Sequence, residues 1–338
     1  MHSHSARSNT RYCVLRDTVA NTRKGIHLMT DEVTIGGDHW SAPVQLGAFS
    51  LDDLSDDDRS ILEPQIPNKG IADAYVSRTV YGTWDGDLFG TYLDNRRNIL
   101  LEGPTGSAKT TSLRAFAAQW GLPFVQVPVS GSIDLNTLFD SWGSNEAGQL
   151  HRQDTSLHAA WRCGGVVVFD ELNMALASTL ARLHELLDSR RQITLTKRRG
   201  EVVRPAKCLL VAATSNPVKT YRGTEELSQA VANRFAHRCP WPYLRAVEDV
   251  LVDIPSIVDL AWRIRRSDDT RADLGTNRLV EYREAIETLG GEYAHAMFVD
   301  NFPASERLTV ESYVTLVSDQ IEDEVAQWLA QGVDTQDA

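Results

Sequence analysis

Gly103-Pro104-Thr105-Gly106-Ser107-Ala108-Lys109-Thr110 is the stretch on which the fold turns. An apolar run, Asn98-Ile99-Leu100-Leu101-Glu102, leads into it, and a helix-like segment, Thr111 to Trp120, leads out. Strand, Gly-rich turn, Lys-Thr and helix is the order a phosphate-binding loop needs. The turn exposes consecutive backbone N–H groups to an anion, and the helix N-terminus adds the positive end of its dipole. Lys109 then reaches the β- and γ-phosphates of ATP, and the Thr110 hydroxyl binds Mg²⁺. Gly103, Pro104, Thr105, Gly106, Ser107, Ala108, Lys109, Thr110 and Thr111 form the expected cradle. Ala108 stands where the spacing G-x-x-x-x-G-K-[ST] expects a second Gly. It is read as a small residue that tolerates helical dihedrals.

The bulk of the chain narrows the classes. Its 338 residues suggest about two domains. A net charge of −12 opposes a broad nucleic-acid-binding surface, though not a local basic site. Cys13, Cys163, Cys208 and Cys239 are scattered without a C-x-x-C pair, which reads as free thiols rather than a metal site or disulfides. No apolar run approaches the ~18 residues of a membrane helix. Met1-His2-Ser3-His4-Ser5 has no apolar core behind it, so no secretory signal is read and a cytoplasmic protein is expected.

Residues 1–65 form an N-terminal extension of unassigned role. Its acidic run around Asp52 to Asp58 reads as a solvated face, with Ser50 or Ser55 capping a short helix. Residues 66–240 alternate strand and helix signals. Pro123 to Val129, Val166 to Phe169 and Cys208 to Thr214 are buried-strand runs, rich in β-branched residues. Leu88 to Leu93, Leu150 to Arg162, Met174 to Ser189 and Leu227 to Arg234 have helical spacing. Arg191 to Thr196, a turn at Lys197-Arg198-Arg199-Gly200, and Glu201 to Val203 read as a hairpin. From Tyr243 strands disappear, and residues 241–330 read as a helical lid whose last helix runs from Ser305 to Leu329. Residues 331–338 read as a flexible tail. The fold class is α/β, a three-layer parallel-sheet nucleotide-binding domain followed by a small all-α domain, with ligand at the strand C-terminal ends.

Five features follow the loop. Asp170-Glu171 ends a buried strand about 60 residues later. Asp170 is placed to hold Mg²⁺ through water, and Glu171 to polarise water against the γ-phosphate. Asn216 ends the next strand and can position the same water. Arg234, with Arg238 as its rival, is a guanidinium suited to the charge on a transferring phosphoryl group, and is expected to serve a neighbouring subunit. Arg278 follows Thr276, a candidate N-cap, in the first turn of a lid helix. The fifth feature is a pair of insertions. Ser130-Gly131-Ser132-Ile133-Asp134 is a loop that could face a channel, and Lys197-Arg198-Arg199 is a basic hairpin tip, either solvated or touching a polymer or acidic partner.

Together these motifs resemble the AAA+ ATPases, and within them the MoxR group with its CbbQ/NorQ branch. The resemblance rests on Gly103 to Thr111, Val166 to Asn173, Leu209 to Pro217, Leu227 to Phe235 and Gly275 to Val280. It is extended by Leu157 to Gly165 and by the hairpin before the Asn216 strand, and it covers roughly residues 66–325. It implies a ring, often a hexamer, with ATP and Mg²⁺ between subunits. Lys109, Thr110, Asp170, Glu171 and Asn216 would act within one subunit, Arg234 across the interface, and Arg278 as a nucleotide sensor from the lid. Members commonly remodel or activate a protein client, often with a von Willebrand A-domain partner. A nucleic-acid motor of the same fold and a nucleotide-gated assembly factor with little turnover are the competing expectations. No membrane partner is expected.

Overall fold

The computed structural model describes residues 32–129, 138–144, 148, 150–216, 229–271 and 273–333. In chain order its elements begin β1 (Val33–Ile35), α1 (Asp56–Leu62), α2 (Gly70–Asp73), β2 (Val76–Val80), β3 (Thr83–Trp84), α3 (Asp85–Asp94), β4 (Asn98–Glu102) and α4 (Lys109–Gln119). They continue with β5 (Phe124–Pro128), β6 (Asp140–Ser144), β7 (Leu150–Asp154), α5 (Ser156–Cys163), β8 (Gly165–Asp170), α6 (Ala177–Leu187), β9 (Ile193–Leu195), β10 (Glu201–Val203), β11 (Leu209–Ser215), α7 (Gln229–Ala232) and β12 (His237–Pro240). The lid follows: α8 (Arg245–Val252), α9 (Pro255–Arg266), α10 (Thr276–Leu289), α11 (Gly291–Asp300), α12 (Arg307–Thr315) and α13 (Ser318–Val333).

The central sheet has the order β12-β4-β11-β8-β5, and every pairing in it is parallel. Its strands are covered on both faces, which is why they read as continuous apolar runs. Alternation divides them cleanly. Leu100, Val167, Phe169, Val211 and Ala213 enter one core with Trp161 and Phe139. Ile99, Leu101, Val166, Val168, Leu210 and Ala212 enter the other with Phe116 and Trp241. A third core, built on residues such as Ile257, Leu279, Phe298 and Val310, holds the lid. All strand C-termini emerge on one edge, where the loop after β4 and the ends of β8 and β11 meet.

Residues 33–65, expected as an extension ahead of a domain starting at 66, are built into that domain. β1 pairs antiparallel with β2, Trp40 enters the second core and Leu62 the first. Ser50 and Ser55 both accept helix-capping bonds, from the N–H groups of Asp52 and Asp58. Asp58 is buried and paired with Arg162 at 2.6 Å, so the acidic run is not wholly a solvated face.

Two expected helices differ, and so does the expected tail. Leu150 to Asp154 is a strand, not the start of the Leu150–Arg162 helix; it pairs with β6, and helix begins only after Thr155, whose hydroxyl accepts the His158 N–H. Non-local pairing decides this segment, because Leu-His-Arg-Gln-Asp has neither period. The segment expected as one helix from Ser305 to Leu329 is two, α12 and α13, divided at Leu316–Val317. The tail expected at 331–338 begins inside α13. The loop at 130–134 and residues 227–228 lie outside the described residues. Among the described residues no helix is long and apolar enough to cross a membrane. Cys208 and Cys239 are buried free thiols and Cys163 is half-buried.

Candidate active site

The loop after β4 is shaped by two close approaches. A Cβ on Gly103 would lie 1.9 Å from the Trp241 carbonyl oxygen, so only Gly fits where β12 leaves the sheet. Gly106 has φ 74° and a Cβ there would meet the Gly275 Cα at 2.7 Å. The lid is thus pressed directly on the loop, and the Thr276 N–H donates to the Gly106 carbonyl at 3.2 Å. Ala108 is not helical, as its sequence reading supposed. It is left-handed, φ 67° and ψ 27°, the conformation that explains why this spacing normally carries Gly. An L-residue held there costs on the order of 1 kcal/mol. Arg78 buttresses the turn from below, donating to the Ser107 and Pro242 carbonyls at 2.7 and 2.9 Å and lying 4.6 Å over the Trp241 ring. Tyr243 donates its hydroxyl to the Thr105 carbonyl at 2.5 Å.

A cavity of about 180 Å³ opens at the strand C-termini. Thr105, Gly106, Ala108, Lys109, Thr110 and Thr111 line one side, and Asp170, Glu171, Thr214 and Asn216 the other. Gly103 and Pro104 contribute through their carbonyls, each accepting a 2.8 Å bond from Lys109 Nζ. Asn216 Oδ1 accepts the third, at 3.0 Å. Ser107 is buried, its hydroxyl donated to the Pro104 carbonyl. Burial holds the Lys109 amine down at about 8, against the opposing pull of Asp170, Asp273 and Glu171.

Thr110 donates its hydroxyl to Asp170 Oδ1 at 3.1 Å, and Gln126 donates to Asp170 Oδ2 at 2.5 Å. A hydroxyl and a carboxylate converging at the foot of a phosphate loop are the hard oxygen donors Mg²⁺ takes, with the remaining positions left to water and phosphate. The donor set fits that ion. Glu171 follows β8 in the left-handed region at φ 56°, a conformation uncommon for a residue other than Gly, and lines the cavity.

Three residues of this network carried no functional assignment in the sequence. Thr214 donates its hydroxyl to Asp170 and accepts the Glu171 N–H at 3.0 Å, so it fixes both acids from the neighbouring strand. Asn173 clamps Asn216, donating to its carbonyl at 3.0 Å and accepting its N–H at 3.2 Å. Asp273, from the lid, accepts a hydrogen bond from the Thr105 backbone, and burial holds its carboxyl above the usual range. Polar side chains inside strand or turn segments were the available signal; their partners lie 43 residues or more away for Thr214 and Asn173.

Arg278 and Arg234 lie away from the cavity. Arg278 sits exposed in the first turn of α10, whose N-terminus rests on Gly106. The cap of that helix is Gly275; Thr276 is inside it, donating its hydroxyl to the buried Glu248 at 2.8 Å. Arg234 is at the opposite end of the sheet. Its carbonyl accepts a bond from Asn98, the first residue of β4, whereas the loop follows the last. Four residues of strand separate the two ends by roughly 13 Å. Arg238 is tied to Glu102 at 3.2 Å. The basic hairpin tip is partly spent: Arg198 is held by Asp140 at 2.8 Å and Asp154 at 2.6 Å, joining the β9-β10 hairpin to β6-β7.

Residues 98–235 match the family described as "AAA domain (dynein-related subfamily)". That match spans the phosphate loop, the Asp170-Glu171 strand and Asn216. Known proteins align with part of the chain. Midasin of Giardia intestinalis is 40% identical over 138 residues, 40% of this chain and 3% of midasin. An uncharacterized protein of Staphylococcus epidermidis is 35% identical over 167 residues, 47% of this chain and 62% of that protein. The chain therefore spans less than two thirds of these relatives. Among solved structures, NtrX of Brucella abortus, in complex with ADP, superposes on 68% of this chain and 51% of its own with a TM-score of 0.35 and 19% identity.

Proposed function

We propose that the protein is an ATP-hydrolysing AAA+ motor that works as a ring, its active sites completed between subunits, and that it remodels or activates a protein client in the manner of MoxR-type chaperones. The observation that carries the shared-site reading is the placement of Arg234. The AAA+ domain holds Lys109, Thr110, Asp170, Glu171 and Asn216 around one cavity, and Arg234 at the far end of the same sheet. An arginine there is out of reach of its own loop and well placed for a neighbour's.

Within one subunit the loop amides and Lys109 bind the triphosphate, Thr110 and Asp170 hold Mg²⁺, and Asn216 and Glu171 position water. Glu171 takes the proton as that water attacks the γ-phosphorus. Mg²⁺, which Thr110 and Asp170 would hold, would supply charge neutralisation to the triphosphate. Arg234 of the adjacent subunit stabilises the charge that develops on the transferring group. The client is carried by the resemblance alone. A nucleic-acid motor gains no support from the hairpin tip, where Arg198 is committed to Asp140 and Asp154.

The test is a mixing experiment. Arg234→Ala and Glu171→Gln rings are each expected to be nearly inactive. Mixed rings regain turnover, because some interfaces then pair an intact Glu171 with an intact Arg234. Mixed rings that form, as seen by native mass spectrometry, but stay inactive at every ratio would refute a shared site.

Lys109 adds a pH signature. Its amine titrates near 8 in the free protein, and phosphate holds it protonated. ATP affinity is therefore flat below about pH 8 and falls above it, by up to ~10-fold per pH unit. Calorimetric titrations with Mg·ATP at pH 7 and pH 9.5 measure this; equal affinities at the two values would show that the Lys109 charge is not linked to binding.

A further inference from the structure

Ala108 is the residue at which the phosphate loop lacks its second Gly, and its backbone is left-handed, φ 67° and ψ 27°. A residue with a Cβ stays in that region only where its surroundings over-determine it. Both peptides flanking Ala108 are anchored. Its carbonyl accepts the Ser112 N–H at 2.9 Å, in the first turn of α4. On the other side, the Ser107 carbonyl accepts a bond from Arg78 Nη2 at 2.7 Å. In a planar trans peptide the N–H points opposite to the C=O. The bond from Arg78 therefore turns the Ala108 N–H away from Arg78, and Ala108 lines the phosphate cavity, which Arg78 does not.

Arg78 is built to hold that carbonyl. It lies in β2 and is 3% exposed. Its Nη1 donates to the Pro242 carbonyl at 2.9 Å, just past β12, and its guanidinium lies 4.6 Å over the Trp241 ring. Its Nε is buried with no partner. A buried guanidinium with an unmet donor destabilises the fold, so packing alone does not account for it. The strand that carries Arg78 is itself fixed. Arg78 pairs with Val33 of β1, and its N–H donates to Asp85 Oδ2 at 3.4 Å. Asp85 is fully buried and also accepts the Tyr75 and Ser77 hydroxyls, each at 2.7 Å. The guanidinium is thus set from below by two elements of the sheet β1-β2-β3 and by α3, and its fork is aimed at the loop.

We infer that Arg78 is a positioning residue for nucleotide binding, holding the Ser107–Ala108 peptide so that the Ala108 N–H is presented to phosphate. It does for Ala what a second Gly does through its own conformational freedom. The inference rests on the ATP-binding reading above. Arg78 itself touches no ligand; it acts through the loop backbone. Without it, the Ser107–Ala108 peptide is free to rotate, and Ala108 relaxes towards right-handed dihedrals. A Gly at that position has no such preference. The contributions of Arg78 and of the side chain at position 108 are therefore coupled. The same bond gives β1 and β2, strands ahead of the loop that no motif marked, a part in shaping it.

The test is a double-mutant cycle on the full chain, read as Mg·ATP affinity by calorimetry. Arg78→Met keeps an unbranched stem and removes the fork, and is expected to weaken Mg·ATP binding at least ~10-fold while Ala108 is present. When Ala108→Gly is also present, the loss caused by Arg78→Met is expected to be at least ~3-fold smaller, because the left-handed dihedral no longer has to be enforced. Arg78→Lys keeps the buried charge and gives up the fork. It is expected to show a smaller loss with the same coupling, and it carries the test if Arg78→Met does not fold. A loss of equal size with Ala108 and with Ala108→Gly overturns the inference, because a residue that only supports the fold acts alike in both. Unchanged affinity in both Arg78 variants overturns it too. An unsubstituted chain that binds no Mg·ATP refutes the ATP-binding reading and this inference together, so the first titration tells the two failures apart.

Discussion

Lys109→Ala is expected to reduce ATP affinity by at least ~100-fold while leaving the fold in place. The magnitude follows from the bonds removed: two charge-assisted contacts to phosphate, at about 1.5 kcal/mol or more each. The fold is spared because Lys109 stabilises little beyond its own loop. Lys109 is 8% exposed, its ammonium is bonded to the Gly103 and Pro104 carbonyls and Asn216 Oδ1, and burial lowers its pKa. Removing a buried amine relieves desolvation as it loses hydrogen bonds. Thermal unfolding separates the two effects. A melting temperature within a few degrees of wild type, with binding lost, is the expected pair; unchanged nucleotide affinity would remove the phosphate-loop assignment.

Glu171→Gln is expected to do the converse, keeping ATP affinity and slowing hydrolysis at least ~100-fold, the scale of a lost general base. The substitution is isosteric, and the geometry that fixes residue 171 does not use its carboxylate. The Glu171 N–H is held by Thr214, and Asp170 is held by Thr110, Thr214 and Gln126. The substituted chain therefore keeps the Mg²⁺ donors and loses only the proton acceptor. Its ATP-bound state should persist, making it the form in which to capture a client and count subunits. Wild-type turnover in this variant would assign water activation to another group. Asn216, facing the same cavity under the clamp of Asn173, would be the next residue to test.

The chemistry of this protein was legible in its sequence wherever the determinants are local. The loop at 103–110, the acidic pair ending an apolar strand, and the change to an all-helical texture near 241 are each written in consecutive residues. Period and turn chemistry act over a few residues, so reading them needs no knowledge of what packs where. The Leu150–Asp154 strand failed that reading because its structure comes from pairing with Asp140–Ser144, not from its own pattern. Ala108 failed it because a left-handed dihedral is set by the helix and loop that it joins.

By itself, then, the sequence determined the class of fold and marked the residues that gather around the loop after β4. The tertiary structure alone decided how those residues stand to one another. It placed β11 between β4 and β8, so that Thr214 and Asn216 face Asp170 and Lys109 from strands distant in the chain. It also carried Arg234 to the far end of β4, into a hollow with Arg96, Arg97, Arg190 and Arg191. The reason is physical: strand order and the sharing of sheet edges are set by packing both faces of the sheet at once, a constraint that no stretch of neighbouring residues contains.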